Sequence, residues 1–123
     1  MSRPEPFVLG LDIGGTMTKL GLVNPEGEIL EVEVMETEAR KSFPDYKERL
    51  SAAMDRLKSK AGGRKPLAIG VGAPNANART GDMETPPNFS WGDRIPLVQA
   101  IRSLWDLPVF LTNDANAAAL GEW

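Results

Sequence analysis

The chain has 123 residues, 41% hydrophobic and 25% charged, with a formal net charge of −3, which suits one globular domain over 1–123 and argues against a nucleic-acid binder, whose surface normally carries a basic face. It has neither cysteine nor histidine, so disulfides, thiol nucleophiles, Cys/His zinc sites and imidazole base chemistry are excluded, leaving Asp, Glu, Asn, Thr, Lys and backbone groups. No apolar run is long enough to span a membrane, and MSRPEPF lacks the apolar core of a signal peptide, so a cytoplasmic setting is expected.

In chain order, FVLGLDI (7–13) is a short apolar run and predicts a buried strand. Gly14-Gly15 follows as a hairpin-type dipeptide, and 19–23 reads as the returning strand. NPEG (24–27) is a turn, and ILEVEVM (29–35) alternates apolar and acidic residues as an edge strand whose charges guard its open side. These three strands predict an antiparallel meander. From Ser42 an amphipathic helix is predicted, with Ser42 as N-cap, Pro44 in the first turn, an inward stripe of Tyr46, Leu50, Met54 and Leu57, and Gly62-Gly63 at its end. LAIGV (67–71) is uniformly apolar and predicts a central parallel strand. A long loop without regular structure is expected over 72–92. A second helix over 95–105, a fifth strand over 108–112 and an alanine-rich third helix from Asp114 complete the order β-β-β-α-β-α-β-α. The fold class is α/β: one five-stranded mixed sheet with helices on its faces, whose ligands belong beyond the carboxyl ends of the strands, where Asp12, Gly72 and Asn113 begin their loops.

Three stretches carry chemistry. In DIGGTMTK (12–19), Gly14 and Gly15 can expose backbone N–H groups as an anion nest. Thr16, Thr18 and Lys19 add donors and charge, and Asp12 can hold a metal-bound water, the group types that a nucleoside triphosphate with Mg²⁺ needs. A plain hairpin turn explains the glycines equally well. Neither nucleotide fingerprint fits: Gly10 and Gly15 have P-loop spacing but Thr16 stands where lysine is needed, and Asn75 stands where a dinucleotide motif needs glycine. In 70–88, Gly72 allows close backbone approach, while Asn75, Asn77 and Asn88 offer neutral amides suited to a polyhydroxylated ligand; asparagines are also ordinary turn formers. In NDAN, Asp114 is either a helix cap contributing about 1 kcal/mol or a general base over the sheet's carboxyl edge, and the two roles are compatible.

In that order and spacing, LGLDIGGTMTKLGLVNPEGEIL, IGVGAPNANARTGDMETPPNFSW and VFLTNDANAAALGE resemble the N-terminal domain of the ROK family (repressor, open reading frame, kinase). This is the glucokinase-like branch of the actin and hexokinase superfamily. The resemblance implies a ribonuclease H-like, actin-like ATPase fold and transfer of the γ-phosphate of ATP, with Mg²⁺, to a hexose hydroxyl, glucose first among the hexoses. It assigns Asp12, Gly14, Gly15 and Thr16 to the triphosphate and Mg²⁺, with Thr18 and Lys19 beside them. Gly72, Ala73, Pro74, Asn75, Asn88 and Asn113 fall to the sugar and Asp114 to the base. Asn75 stands where glycine is common in the family. Family members continue into a second domain with the adenosine site and, usually, a His/Cys zinc segment. None of that is in these 123 residues, so the expectation is the sugar-binding half of a kinase, inactive alone, with no zinc site. Two further readings are a sugar-responsive ROK regulator, although six residues before the first strand leave no room for a DNA-binding helix-turn-helix, and a stand-alone sugar-binding domain that self-associates as a homodimer.

Overall fold

The computed structural model describes residues 6–112. Its main sheet has five strands: β1 (Val8–Ile13), β2 (Met17–Val23), β3 (Ile29–Glu36), β4 (Ile69–Gly72) and β8 (Val109–Thr112), in the order β3-β2-β1-β4-β8. The first three form the expected antiparallel meander, and β4 lies parallel between β1 and β8. Leu9, Leu11, Leu20, Leu22, Ile69 and Val71 share one face by register and are buried there. Helices α1 (Phe43–Lys60) and α2 (Leu97–Leu104) cover that face.

The ends of α1 follow from local chemistry. Asp45 N–H donates to the Ser42 hydroxyl, which caps the helix. At the other end Gly62 and Gly63 take left-handed φ values of 72° and 83°, and their N–H groups bond Ser59 and Lys58 carbonyls. This is a Schellman stop, which needs residues without a Cβ. Tyr46, Leu50, Ala53, Met54 and Leu57 form its buried stripe. Helix α2 starts after Pro96, which stands at the N-cap rather than inside the first turn, and Ile95 belongs to a strand.

Two expectations are corrected. Strand β3 is at the sheet edge, but its faces are reversed: register places Glu31 and Glu33 beside Leu22 and Leu20 on the helix side. Glu33 is clasped there by Arg56 (2.7 Å) and Lys60 (2.8 Å) of α1, while Val34 is 51% exposed on the other side. The segment expected as an unstructured loop contains β5 (Ala76–Asn77), β6 (Asp82–Glu84) and β7 (Arg94–Ile95), a second sheet in that order. Ala76, Met83 and Ile95 bury one side chain per strand into the common core, and strands this short carry no readable period. The third helix expected from Asp114 lies outside the described residues. Among those residues, no helix is long and apolar enough to cross a membrane.

The Lys60 and Arg56 bonds hold the Glu33 carboxyl below its ordinary value of 4.5. A depressed folded value gives stability that is present above the unfolded value and lost as pH falls through the folded one. Glu33→Gln should therefore flatten the acid limb of the unfolding midpoint against pH below about pH 4.5. An unchanged limb would show that this clasp adds nothing to folding.

Candidate functional site

The carboxyl ends of the three parallel strands lie in one row, with Asp12 opposite Gly72 and Gly72 opposite Thr112. The Ala73 N–H extends the ladder to the Thr112 carbonyl at 3.1 Å. The three strands thus end at one edge of the sheet, where ligands lie in sheets of this topology. Asp12 is half-buried, with Lys19 opposite it on β2 and Gly72 opposite it on β4. Gly72 and Ala73 are buried, Pro74 is half-buried and Asn75 is exposed.

At this edge the β1–β2 hairpin forms one wall of a cleft of about 470 Å³. Gly15, Thr16 and Asn88 line it together with Glu36, Glu38 and Arg40. Two stretches far apart in sequence, the expected phosphate hairpin and the expected sugar asparagine, are thereby brought to one place. The segment bearing Asn88 is tied down by the Ser90 N–H, which donates to the Ala39 carbonyl at 2.8 Å. Asn75 is not among the lining residues; its amide donates to the Glu84 and Thr85 carbonyls, both at 3.1 Å. Asn77 likewise holds its own loop, donating to Glu84 at 2.6 Å and accepting from the Arg79 N–H. Asn113 and Asp114 follow Thr112 directly in sequence and lie outside the described residues.

Neither hairpin glycine takes a positive φ, and only Gly14 is required, by a close approach. The Gly14 N–H donates to the Met17 carbonyl at 2.9 Å, and a Cβ at Gly14 would stand 2.9 Å from that same oxygen. A Cβ at Gly15 would meet nothing within 4 Å.

Thr18 and Lys19 take opposite faces of β2, as adjacent strand residues must. Lys19 shares the Asp12 side, but Thr18 points into the core and is fully buried. The expectation of Thr18 as a phosphate donor is corrected: its hydroxyl bonds Thr37 at 2.8 Å and the Tyr46 phenol at 3.0 Å. Thr37 in turn donates to the Gly14 carbonyl at 2.7 Å, and its N–H bonds the Thr16 carbonyl at 2.8 Å. Thr18 therefore holds the hairpin from behind. Burial pushes the Tyr46 phenol well above its ordinary value, against the opposing effects of Thr18 and Arg49.

Sequence reasoning missed Glu38, Arg40 and the role of Tyr46. Glu38 pairs with Lys41 at 3.1 Å and with Arg49 at 3.6 Å, leaving Arg40 as a cleft cation without an ion-pair partner among the described residues. The one signal for Glu38 is conformational: it holds a left-handed φ of 51°, as do Asn75, Thr85 and Asn88 at 51°, 44° and 65°. Among the described residues no group of three or more His, Cys, Asp or Glu could cage a metal.

Residues 8–123 match the ROK family. The chain is 32% identical over 120 residues to a glucokinase of Thermotoga maritima, covering 97% of this chain and 37% of that protein. It is 30% identical over 122 residues to a xylose repressor of Caldicellulosiruptor bescii, covering 94% of this chain and 29% of that protein. A solved ROK family glucokinase from Streptomyces griseus, in complex with glucose and AMPPNP, superposes with a TM-score of 0.76 at 29% identity, covering 90% of this chain and 34% of that one. The fold is that of the actin-like sugar kinases, and the chain spans about a third of the length of these relatives.

Two outcomes follow from the geometry. Gly14→Ala should destabilise the chain by about 1–3 kcal/mol, as overpacking does, while Gly15→Ala leaves the denaturation midpoint near wild type; equal midpoints would contradict the close approach at Gly14. Tyr46 is the only tyrosine, so tyrosinate absorbance reports it alone. Its folded value is raised, so its contribution is full below the unfolded value and lost as pH rises from about 10. The native chain should stay unionised above that pH, and Tyr46→Phe should remove the alkaline loss of stability. A titration at the ordinary phenol value in the folded chain would refute this.

Proposed function

The chain belongs to the ROK family, and from that membership we propose that it forms the sugar-binding part of an ATP-dependent hexose kinase, with glucose as the leading substrate. The observation that carries this reading is the shared cleft of Gly15, Thr16 and Asn88, which sets a phosphate-type hairpin beside a sugar-type amide. A sugar seated at Asn88, with Gly72–Pro74 on the adjoining edge and Asn113 as a further contact by its sequence motif, would present its primary hydroxyl to the triphosphate. The hydroxyl oxygen bonds the γ-phosphorus as the bond to the β-phosphate oxygen breaks, and ADP leaves. Asp114 takes the hydroxyl proton, which acidifies as the new bond forms, so positioning matters more than strong basicity. Gly14, Gly15 and Thr16 orient the phosphates from the hairpin, and Lys19 adds positive charge beside Asp12. Bound Mg²⁺, held through Asp12, would neutralise charge on the transferring group. On this reading the adenosine site belongs to protein outside these 123 residues, as the family resemblance implies.

The similarity to a xylose repressor favours one second reading, in which the same cleft binds a sugar as an effector without turnover. The two readings separate on Asp114. In the protein that carries this chain, Asp114→Asn should lower kcat for ATP-dependent glucose phosphorylation by about 10²–10⁴-fold, the range for losing a general base, with glucose still bound. Glucose binding by the wild type with no phosphorylation would favour the effector reading, and a fully active Asp114→Asn would remove Asp114 as the base.

A further inference from the structure

Tyr46 is read from sequence as one more apolar contact of α1. In the fold it touches both walls of the cleft by two different parts of its side chain. Its phenol reaches the hairpin through hydroxyls alone, and the direction of that chain follows from proton counting. Each hydroxyl has one proton. The Thr37 proton goes to the Gly14 carbonyl, which can only accept. Thr37 must then accept from Thr18, and Thr18 must accept from Tyr46. The result is a one-way relay from Tyr46 through Thr18 and Thr37 to Gly14. Tyr46, Thr18 and Thr37 are all 0% exposed, and only the last link, at the half-buried Gly14 carbonyl, comes near the surface.

The ring serves the other wall. Trp91 lies 4.6 Å from Tyr46 at a tilt of 40°, close to the range where aromatic pairs attract beyond their buried area. Trp91 also packs on Phe43 at 5.2 Å and on Phe89 at 4.7 Å. Phe89 is the residue after Asn88, and the Ser90 N–H bond to Ala39 fixes the same segment. Arg49, 5.7 Å over the Tyr46 ring, donates to the Glu36 and Thr37 carbonyls and so steadies the strand end between the two walls.

We propose that Tyr46 is the positioning residue of this cleft: its hydroxyl sets the phosphate hairpin and its ring sets the Asn88 segment, so the two substrate walls are coupled through one side chain. The proposal rests on the kinase reading of the cleft, and the test separates the two. Nitrogen-15 amide spectra of the chain give the readout. Tyr46→Phe keeps the ring and removes the relay's first donor, so it should displace the Gly14–Thr16 resonances and leave those of residues 88–91 in place. Thr18→Val should repeat that displacement, and Thr18→Ser, which keeps a hydroxyl, should restore the wild-type positions. Tyr46→Leu should displace both walls. A residue that only fills the core would not sort the walls by which part of it is removed. Unmoved Gly14–Thr16 resonances in Tyr46→Phe would overturn the relay. Glucose is then titrated into the protein that carries this chain. Wild type should show shifts at Asn88 that carry over to Gly15, and Tyr46→Leu should bind glucose about two- to tenfold more weakly, the range for losing one aromatic pair. Unchanged glucose affinity in a folded Tyr46→Leu would overturn the coupling. Absence of any glucose response in wild type would sink the sugar-kinase reading and leave the relay result standing.

Discussion

The parallel register of β1, β4 and β8 is the constraint from which the rest of the site follows. Because Asp12, Gly72 and Thr112 stand in one row, three strands separated by dozens of residues end at the same edge. A shift of one residue in any pairing would turn that strand's core side chains to the other face. Leu9, Leu11, Ile69 and Val71 are fully buried, so the hydrophobic core itself prevents the slip. The position of the chemistry is a by-product of where the leucines go.

Helix α1 adds the second constraint. Its C-terminal half grips the edge strand through Glu33, and its N-terminal turns reach the cleft through Tyr46 and Arg49. An edge strand with exposed backbone is normally a liability. Here the same strand supplies Glu36 to the cleft, with Glu38 two residues beyond its end, so the helix that secures the edge also fixes one rim of the site.

Much of the fold was legible in sequence, because it rests on local signals. The Ser42 cap, the Gly62-Gly63 stop and the uniformly apolar fourth strand each announce themselves. The faces of β3 were not legible. Alternation says that Glu31 and Glu33 share a face, but which face the helix covers depends on Arg56 and Lys60, more than twenty residues away in sequence. Strands of two or three residues such as β5 and β7 are too short to show a period. In the β1–β2 turn, the reason for Gly14 is a carbonyl 2.9 Å from where a Cβ would stand, a contact across the turn that composition cannot show. Thr18 looked like Thr16 in sequence, but Thr16 lies in the turn before β2 and stays at the cleft, while Thr18 is on the strand face that packs into the core. Asn113 and Asp114 rest on their sequence motif alone.

The backbone of Thr85 has a wider consequence. A β-branched residue at φ 44° is held against its own preference, at a cost of order 1–3 kcal/mol, by bonds from its N–H and hydroxyl to the Asp93 carbonyl. Glu38 and Asn88, on the rims of the cleft, share the left-handed conformation with less steric penalty. Local opening begins where the native conformation has least in reserve. Left-handed backbone of this kind falls outside the five-stranded sheet: Glu38, Asn75, Thr85 and Asn88 all lie between its strands, so the sheet itself stores none of this strain.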